Sequence, residues 1–161
     1  MDKTAFIARF GGIFEHSPFI AERAIDAHPD LSLTAEAVHG AMVAAFRAAS
    51  HAEKLGVLRA HPDLAGRLAI AGDLTEDSKA EQASAGLDRL TADEHARFTA
   101  LNDAYTSRFG FPFIIAVKGL GKDDILAAFE ARIGNDADTE FQTALAQVEK
   151  IARLRLTALL P

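Results

Sequence analysis

A chain of 161 residues has room for a real core, since a domain near this size buries roughly 70% of the surface its unfolded chain exposes. Its residues are 49% hydrophobic and 25% charged, the mixture of a globular protein rather than a disordered or fibrous one, and abundant alanine with only five prolines leans it towards helix. The formal net charge is -6 with acids and bases interspersed, which argues against a nucleic-acid binder, and the lack of cysteine excludes a disulfide framework, a thiolate metal site and a cysteine nucleophile.

The opening MDKTAFIARFGG lacks the continuous apolar stretch of a signal peptide. Phe6, Ile7, Phe10, Ile13 and Phe14 recur at helical spacing, and HSPFIAERA restarts a helix with Ser17 as its expected N-cap and Pro18 at the first helical position. That helix is expected to end at His28-Pro29, because a residue before proline is pushed out of the helical region. Thr34 opens the alanine-rich amphipathic stretch TAEAVHGAMVAAFRAA, and Ser50 with Glu53 forms a capping box at the start of SHAEKLGVLRA. This fourth helix ends at a second His-Pro, His61-Pro62.

From residue 63 to 90 the pattern changes to glycines and polar residues, predicting short helices and turns around one acidic segment. A second capping box, Thr91 with Glu94, opens ADEHARFTALNDAYTSRF, whose Phe98, Leu101, Tyr105 and Phe109 form one face. The apolar FGFPFIIAVKG is interrupted by Pro112, reads as an extended segment, and is far too short to span a bilayer. DDILAAFEARI, closed by Gly134, and the long ADTEFQTALAQVEKIARLRLTALL are two further helices. The expectation is one all-α domain over residues 1–161, a bundle of about eight helices with one extended apolar connection. The final ALLP is no peroxisomal or endoplasmic-reticulum address, so the chain reads as soluble and cytoplasmic.

Motifs that carry chemistry are sparse. The six histidines include no HExxH and no pair at i and i+4, and there is no phosphate-cradling glycine loop and no GxSxG, so an enzyme of this sequence would work with bare side chains. The pentapeptide AHPDL occurs twice, around His28 and around His61, and the plain reading of either copy is helix punctuation, with the imidazole near the negative end of the helix dipole. The second copy is followed by TEDSKAEQ, where Ser78 and Glu81 share a helical face with Gln82 alongside. Locally, Ser78 is an N-cap with Glu81 as its capping-box partner and Gln82 is a solvated residue; the alternative is a clustered hydroxyl, carboxylate and amide. FGFPFIIAVKG is core packing by default, or else an extended backbone whose free N–H and C=O groups grip a planar polar ligand. Arg155 lies among leucines, where arginine usually keeps its head in water; turned inward, it must meet a carboxylate or carbonyls.

In their order, FEHSPFIAERA, LRAHPDLAG, LTEDSKAEQASAGLDRL, FTALNDAYTSRFGFPFIIAVKG and VEKIARLRLTALL resemble the 2-oxo-4-hydroxy-4-carboxy-5-ureidoimidazoline (OHCU) decarboxylase family almost end to end. The resemblance implies an all-α, cofactor-free and metal-free, commonly dimeric carboxy-lyase that makes (S)-allantoin in urate degradation. By the same resemblance His61 would be the catalytic histidine, and Pro62, Ser78, Glu81, Gln82 and Arg155 would line the site beside the backbone of Phe113, Ile114 and Ile115. Two departures stand out: Phe19 replaces a frequent tryptophan, and the C-terminus lacks the peroxisomal tripeptide of many eukaryotic members, which favours a bacterial-type cytoplasmic enzyme.

The substrate so implied supplies its own electron sink, a ring C=N beside the carboxylated carbon, where most decarboxylases need a cofactor. Glu81 is expected to orient and charge His61, which shuttles the proton; Arg155, Ser78 and Gln82 hold polar groups, and the apolar FGFPF wall favours loss of carbon dioxide. Two rivals stay open on sequence: another cofactor-free helical enzyme for a small anion, of chorismate-mutase type, explains Arg155 and Glu81 but not His61, and a non-catalytic binding module would tolerate loss of the histidine.

Overall fold

The computed structural model describes residues 1–161, apart from the side chains of Arg67 and Leu68. The described residues are helical, with no strand: α1 (Lys3–Phe10), α2 (Phe19–Ala27), α3 (Ala35–Ala48), α4 (His51–Arg59), α5 (Arg67–Ala71), α6 (Glu76–Ser84), α7 (Ala92–Phe109), α8 (Lys122–Arg132) and α9 (Ala137–Leu159). The all-α expectation holds. The residues 63–90 hold two short helices. The chain forms two compact units, Met1–His61 with Val148–Pro161, and Pro62–Gln147, so α9 begins in the second and ends in the first.

In the first unit α2 packs on both α1 and α3. Phe6, Phe10, Phe14, Ile20, Met42, Phe46 and Leu58 are fully buried in its core, with Phe6 tilted against Phe10 at 4.8 Å and Phe14 against Phe46 at 5.1 Å. Such aromatic pairs contribute about 0.5–1.5 kcal/mol beyond area burial. The caps fall where local chemistry puts them: Thr34 Oγ1 accepts from Ala37 N at 3.1 Å, and both halves of the Ser50/Glu53 capping box form. The C-terminal part of α9 is tied to α3 by Glu149, whose carboxylate accepts from Arg47 Nε and Nη2 at 3.1 and 2.7 Å and whose backbone oxygen lies 2.8 Å from His39 Nε2.

Ser17 departs from its expected role. Its hydroxyl donates to the Glu15 carbonyl at 3.0 Å, and α2 begins behind Pro18 without a side-chain cap. Proline there already fixes a helical φ and has no N–H to satisfy, so the turn spends the serine on its own closure.

In the second unit α7 opens with the Thr91/Glu94 capping box and closes at Gly110, whose φ of +80° is a left-handed conformation that glycine adopts without a Cβ penalty. α7 packs on α8, and Lys122 of α8 donates to Glu94 at 2.9 Å. Residues 112–117 then run without helix or strand, and all but Ile115 are buried. The extended apolar connection is therefore core in large part: Phe113 stacks on Phe129 at 3.9 Å, and the Tyr105 ring meets Phe111, Phe113 and Phe129 edge-on. Helix α8 ends one residue short of Ile133, which caps it ahead of Gly134.

Candidate active site

In the first unit the sequence following α1 makes a tight turn. His16 sits at a φ of +51°, a region costing roughly 1–2 kcal/mol for a residue with a Cβ. His16 is exposed, while Phe14 and Glu15 before it are buried, Glu15 to 1% exposure. A carboxylate so buried needs a partner, and Arg155 of α9 is that partner: its Nη2 donates to Glu15 Oε2 at 2.9 Å and its Nη1 to the Ile13 carbonyl at 3.3 Å. Arg155 is itself only 8% exposed. The usual disposition of arginine, head in water, thus fails here, and the sequence-level alternative holds in both its parts, a carboxylate and a carbonyl.

His61 closes the same unit. Ala60 caps α4, the His61 N–H donates to the Leu58 carbonyl at 3.2 Å, and the ring is 8% exposed with a buried Nε2 that has no hydrogen-bond partner among the described residues. Burial pushes the imidazole down to about 4; the Glu15 carboxylate pulls against this, and the charges of Arg155 and His16 add to it. The ring is therefore neutral at neutral pH. His28 also ends a helix, as the C-cap of α2 with its N–H on the Ala24 carbonyl at 3.0 Å, but it is exposed. Both copies of AHPDL punctuate helices, and only the second buries its histidine with a polar atom to spare.

The remaining sequence-predicted residues lie in the second unit. Thr75 caps α6, accepting from Ser78 N at 3.2 Å, so Ser78 is the third residue of the helix and buried, not its N-cap. Glu81 lies in mid-helix and half-buried, which removes the capping-box reading of the pair. Gln82 is buried rather than solvated: its Oε1 accepts from Ala65 N at 2.9 Å and its Nε2 donates to the Asp63 carbonyl at 3.2 Å. Asn102 of α7 donates to the intervening Leu64 carbonyl at 2.9 Å. Two buried amides thus grip three consecutive residues just beyond the half-buried Pro62, and they hold Ala65 at a φ of +52°.

The backbone at Ile114 and Ala116 is likewise held by side chains. Arg132 Nη1 donates to the Ile114 carbonyl at 2.7 Å, with its guanidinium 4.4 Å from the Phe113 ring centroid, and Ala116 N donates to Gln147 Oε1 at 2.9 Å. Glu140, fully buried, fixes Arg132 by accepting from its Nε at 2.6 Å, and accepts also from Tyr105 Oη at 2.6 Å and Asn135 Nδ2 at 3.1 Å. Burial, then the Glu140 carboxylate, raises the Tyr105 phenol well above its ordinary value, so it stays a donor.

Sequence reasoning missed Glu15, Asn102, Arg132 and Glu140. Asn102 carried a signal: it lies at i+4 from Phe98 and i−3 from Tyr105, on the buried face, where Leu101 is only half-buried. Glu15 stood between Phe14 and the Ser-Pro turn, a lone acid where an apolar helix face gives out.

A buried, unpartnered imidazole within electrostatic reach of a paired arginine and carboxylate is the kind of constellation that marks a candidate site for acid–base chemistry. The OHCU decarboxylase family model matches residues 1–157. A 2-oxo-4-hydroxy-4-carboxy-5-ureidoimidazoline decarboxylase of Haloferax volcanii is 46% identical, over 97% of this chain and 89% of its own length. The uric acid degradation bifunctional protein of Bacillus subtilis is 42% identical over 97% of this chain, which spans 30% of that protein. Among solved structures, (S)-allantoin synthase superposes with a TM-score of 0.79 at 32% identity, covering 99% of this chain, which spans about half, 51%, of that one. The chain belongs to the OHCU decarboxylase family.

Proposed function

We propose that this chain is the carboxy-lyase that converts 2-oxo-4-hydroxy-4-carboxy-5-ureidoimidazoline to (S)-allantoin in urate degradation. The end-to-end family match supports the reaction, and the single structural observation that carries it is the buried, unpartnered Nε2 of His61. In the reaction the C–C bond to the carboxylate breaks and carbon dioxide leaves. The electron pair becomes a ring double bond as the neighbouring C=N opens. Protons are added to that ring nitrogen and to the ureido-bearing carbon, and the enol hydroxyl returns one as it becomes a carbonyl. One proton is consumed net.

We assign that proton to His61, with Glu81 as the carboxylate that orients and charges it by a hydrogen bond. Arg155 is assigned to an anionic or carbonyl group of the substrate, and Pro62, Ser78, Gln82 and the backbone of Phe113, Ile114 and Ile115 to its ring and ureido groups. Supporting the assignment of Gln82, its Nε2 carries a second N–H beyond the one Asp63 takes. Cofactor-free action as a single domain over 1–161, in a cytoplasmic homodimer, completes the proposal. No helix among the described residues is long and apolar enough to cross a membrane.

The substrate is unstable, so the test generates it in place from urate and follows the handedness of allantoin by circular dichroism. The expected outcome is a fast, lasting (S) signal, where uncatalysed decay gives both hands. A racemic product at the uncatalysed rate overturns the proposal.

A further inference from the structure

We infer that Glu15 is a positioning residue for the decarboxylation: held against Arg155, it cancels the arginine's charge and so reserves the substrate's negative charge for a protonated His61. The inference rests on His61 being the proton donor. Its geometric basis is the buried Glu15–Arg155 hydrogen bond of 2.9 Å, with Arg155 held in addition by the Ile13 carbonyl, in the unit that also buries the unpartnered His61 Nε2.

The argument is one of charge balance in a poorly solvated place, where unbalanced charge is expensive. Within the first unit, before substrate arrives, Glu15 and Arg155 sum to zero and burial keeps His61 neutral. The substrate's carboxylate adds one negative charge. With Glu15 present, the group that restores neutrality is His61, by taking a proton from solvent. It then holds the one proton the reaction consumes and returns neutral when carbon dioxide leaves. With Glu15 uncharged, Arg155 alone neutralises the carboxylate and His61 loses a negative charge that favours its protonation. A buried acid paired with the arginine thereby helps to decide whether the donor is loaded. The ionisable groups acting on His61 within its unit are Glu15, Arg155 and His16, beside the Glu81 carboxylate already proposed to orient it.

The test is Glu15→Gln, which keeps an oxygen to accept from Arg155 while removing the charge. Expected are a KM that is unchanged or lower, because the arginine is now unopposed, a kcat reduced about tenfold or more, and a kcat–pH profile moved to lower pH, so that acid partly restores turnover. A purely structural role for Glu15 reduces the amount of folded enzyme and moves neither KM nor the profile. Glu15→Asp keeps the charge and serves if the glutamine variant does not fold; kcat is expected to stay within about threefold of wild type with the pH profile in place, the rescue that a charge role requires. A wild-type kcat and pH profile in folded Glu15→Gln, or a folded Glu15→Asp enzyme with kcat lost and its pH profile moved to lower pH, while His61→Asn is inactive, overturns the role of Glu15 alone. An active, stereoselective His61→Asn enzyme overturns the reading of His61 and this inference with it.

Discussion

Two histidines in the same pentapeptide are a natural experiment at the scale of the residue. His28 and His61 each follow the last turn of a helix and precede a proline, so local sequence gives them one meaning; burial separates them. His28→Asn is expected to shift stability only by the roughly 0.3–1 kcal/mol typical of a helix-end charge and to keep rate and stereoselectivity. His61→Asn, with helical circular dichroism intact, is expected to lose on the order of a hundredfold or more in turnover. Equal losses in both variants would mean folding damage. His61 also makes a prediction about acid. Its native value of about 4 lies below the ordinary 6.5, so between the two the unfolded chain binds more protons, and stability falls as pH drops through that window. The full effect is about 3 kcal/mol at most, complete below pH 4 and absent above 6.5. Thermal melts of His61→Asn should therefore show a shallower decline between pH 6.5 and 4 than the wild type.

Among the elements, α6 shows how a cap and a candidate catalytic group come apart. On sequence the two were fused, because Ser78 and Glu81 have capping-box spacing. The start of the helix at Glu76, with Thr75 accepting from Ser78 N, hands the cap to threonine and frees Ser78 and Glu81 from it. Thr75→Ala is then expected to lower stability by about 1 kcal/mol with little change in the kinetics of the folded enzyme. Glu81→Gln should melt near the wild type yet lose turnover markedly and shift its pH optimum; an unaltered pH profile would reduce Glu81 to an ordinary helix residue. The segments around residues 63–65 and 113–116 follow one rule. Backbone outside helix must find other partners, and here side chains supply them: the buried Gln82 and Asn102 for the first, the half-buried Arg132 and Gln147 for the second. Such segments hold their form only while those partners are fixed, which is why Arg132 is in turn fixed by Glu140.

For the molecule as a whole, the sequence by itself determined the helical class, the ends of the longer helices that carry clear caps or prolines, and the family. These depend on signals within one turn or on ordered motifs along the chain: the capping boxes at Ser50 and Thr91, Thr34, and proline after each AHPDL histidine. A cap is a bond between residues three apart, so its chemistry is complete in the local text. What only tertiary structure decided is which charges lie inside. Glu15 and Arg155 are 140 residues apart, and Asn102 reaches a carbonyl 38 residues away. An arginine among leucines reads as a surface residue until a buried carboxylate is known to wait for it, and nothing near Arg155 in the chain announces Glu15. The same holds for the histidines: periodicity and punctuation locate both, but desolvation, which keeps His61 neutral and leaves its Nε2 unspent, is a property of everything packed around the ring.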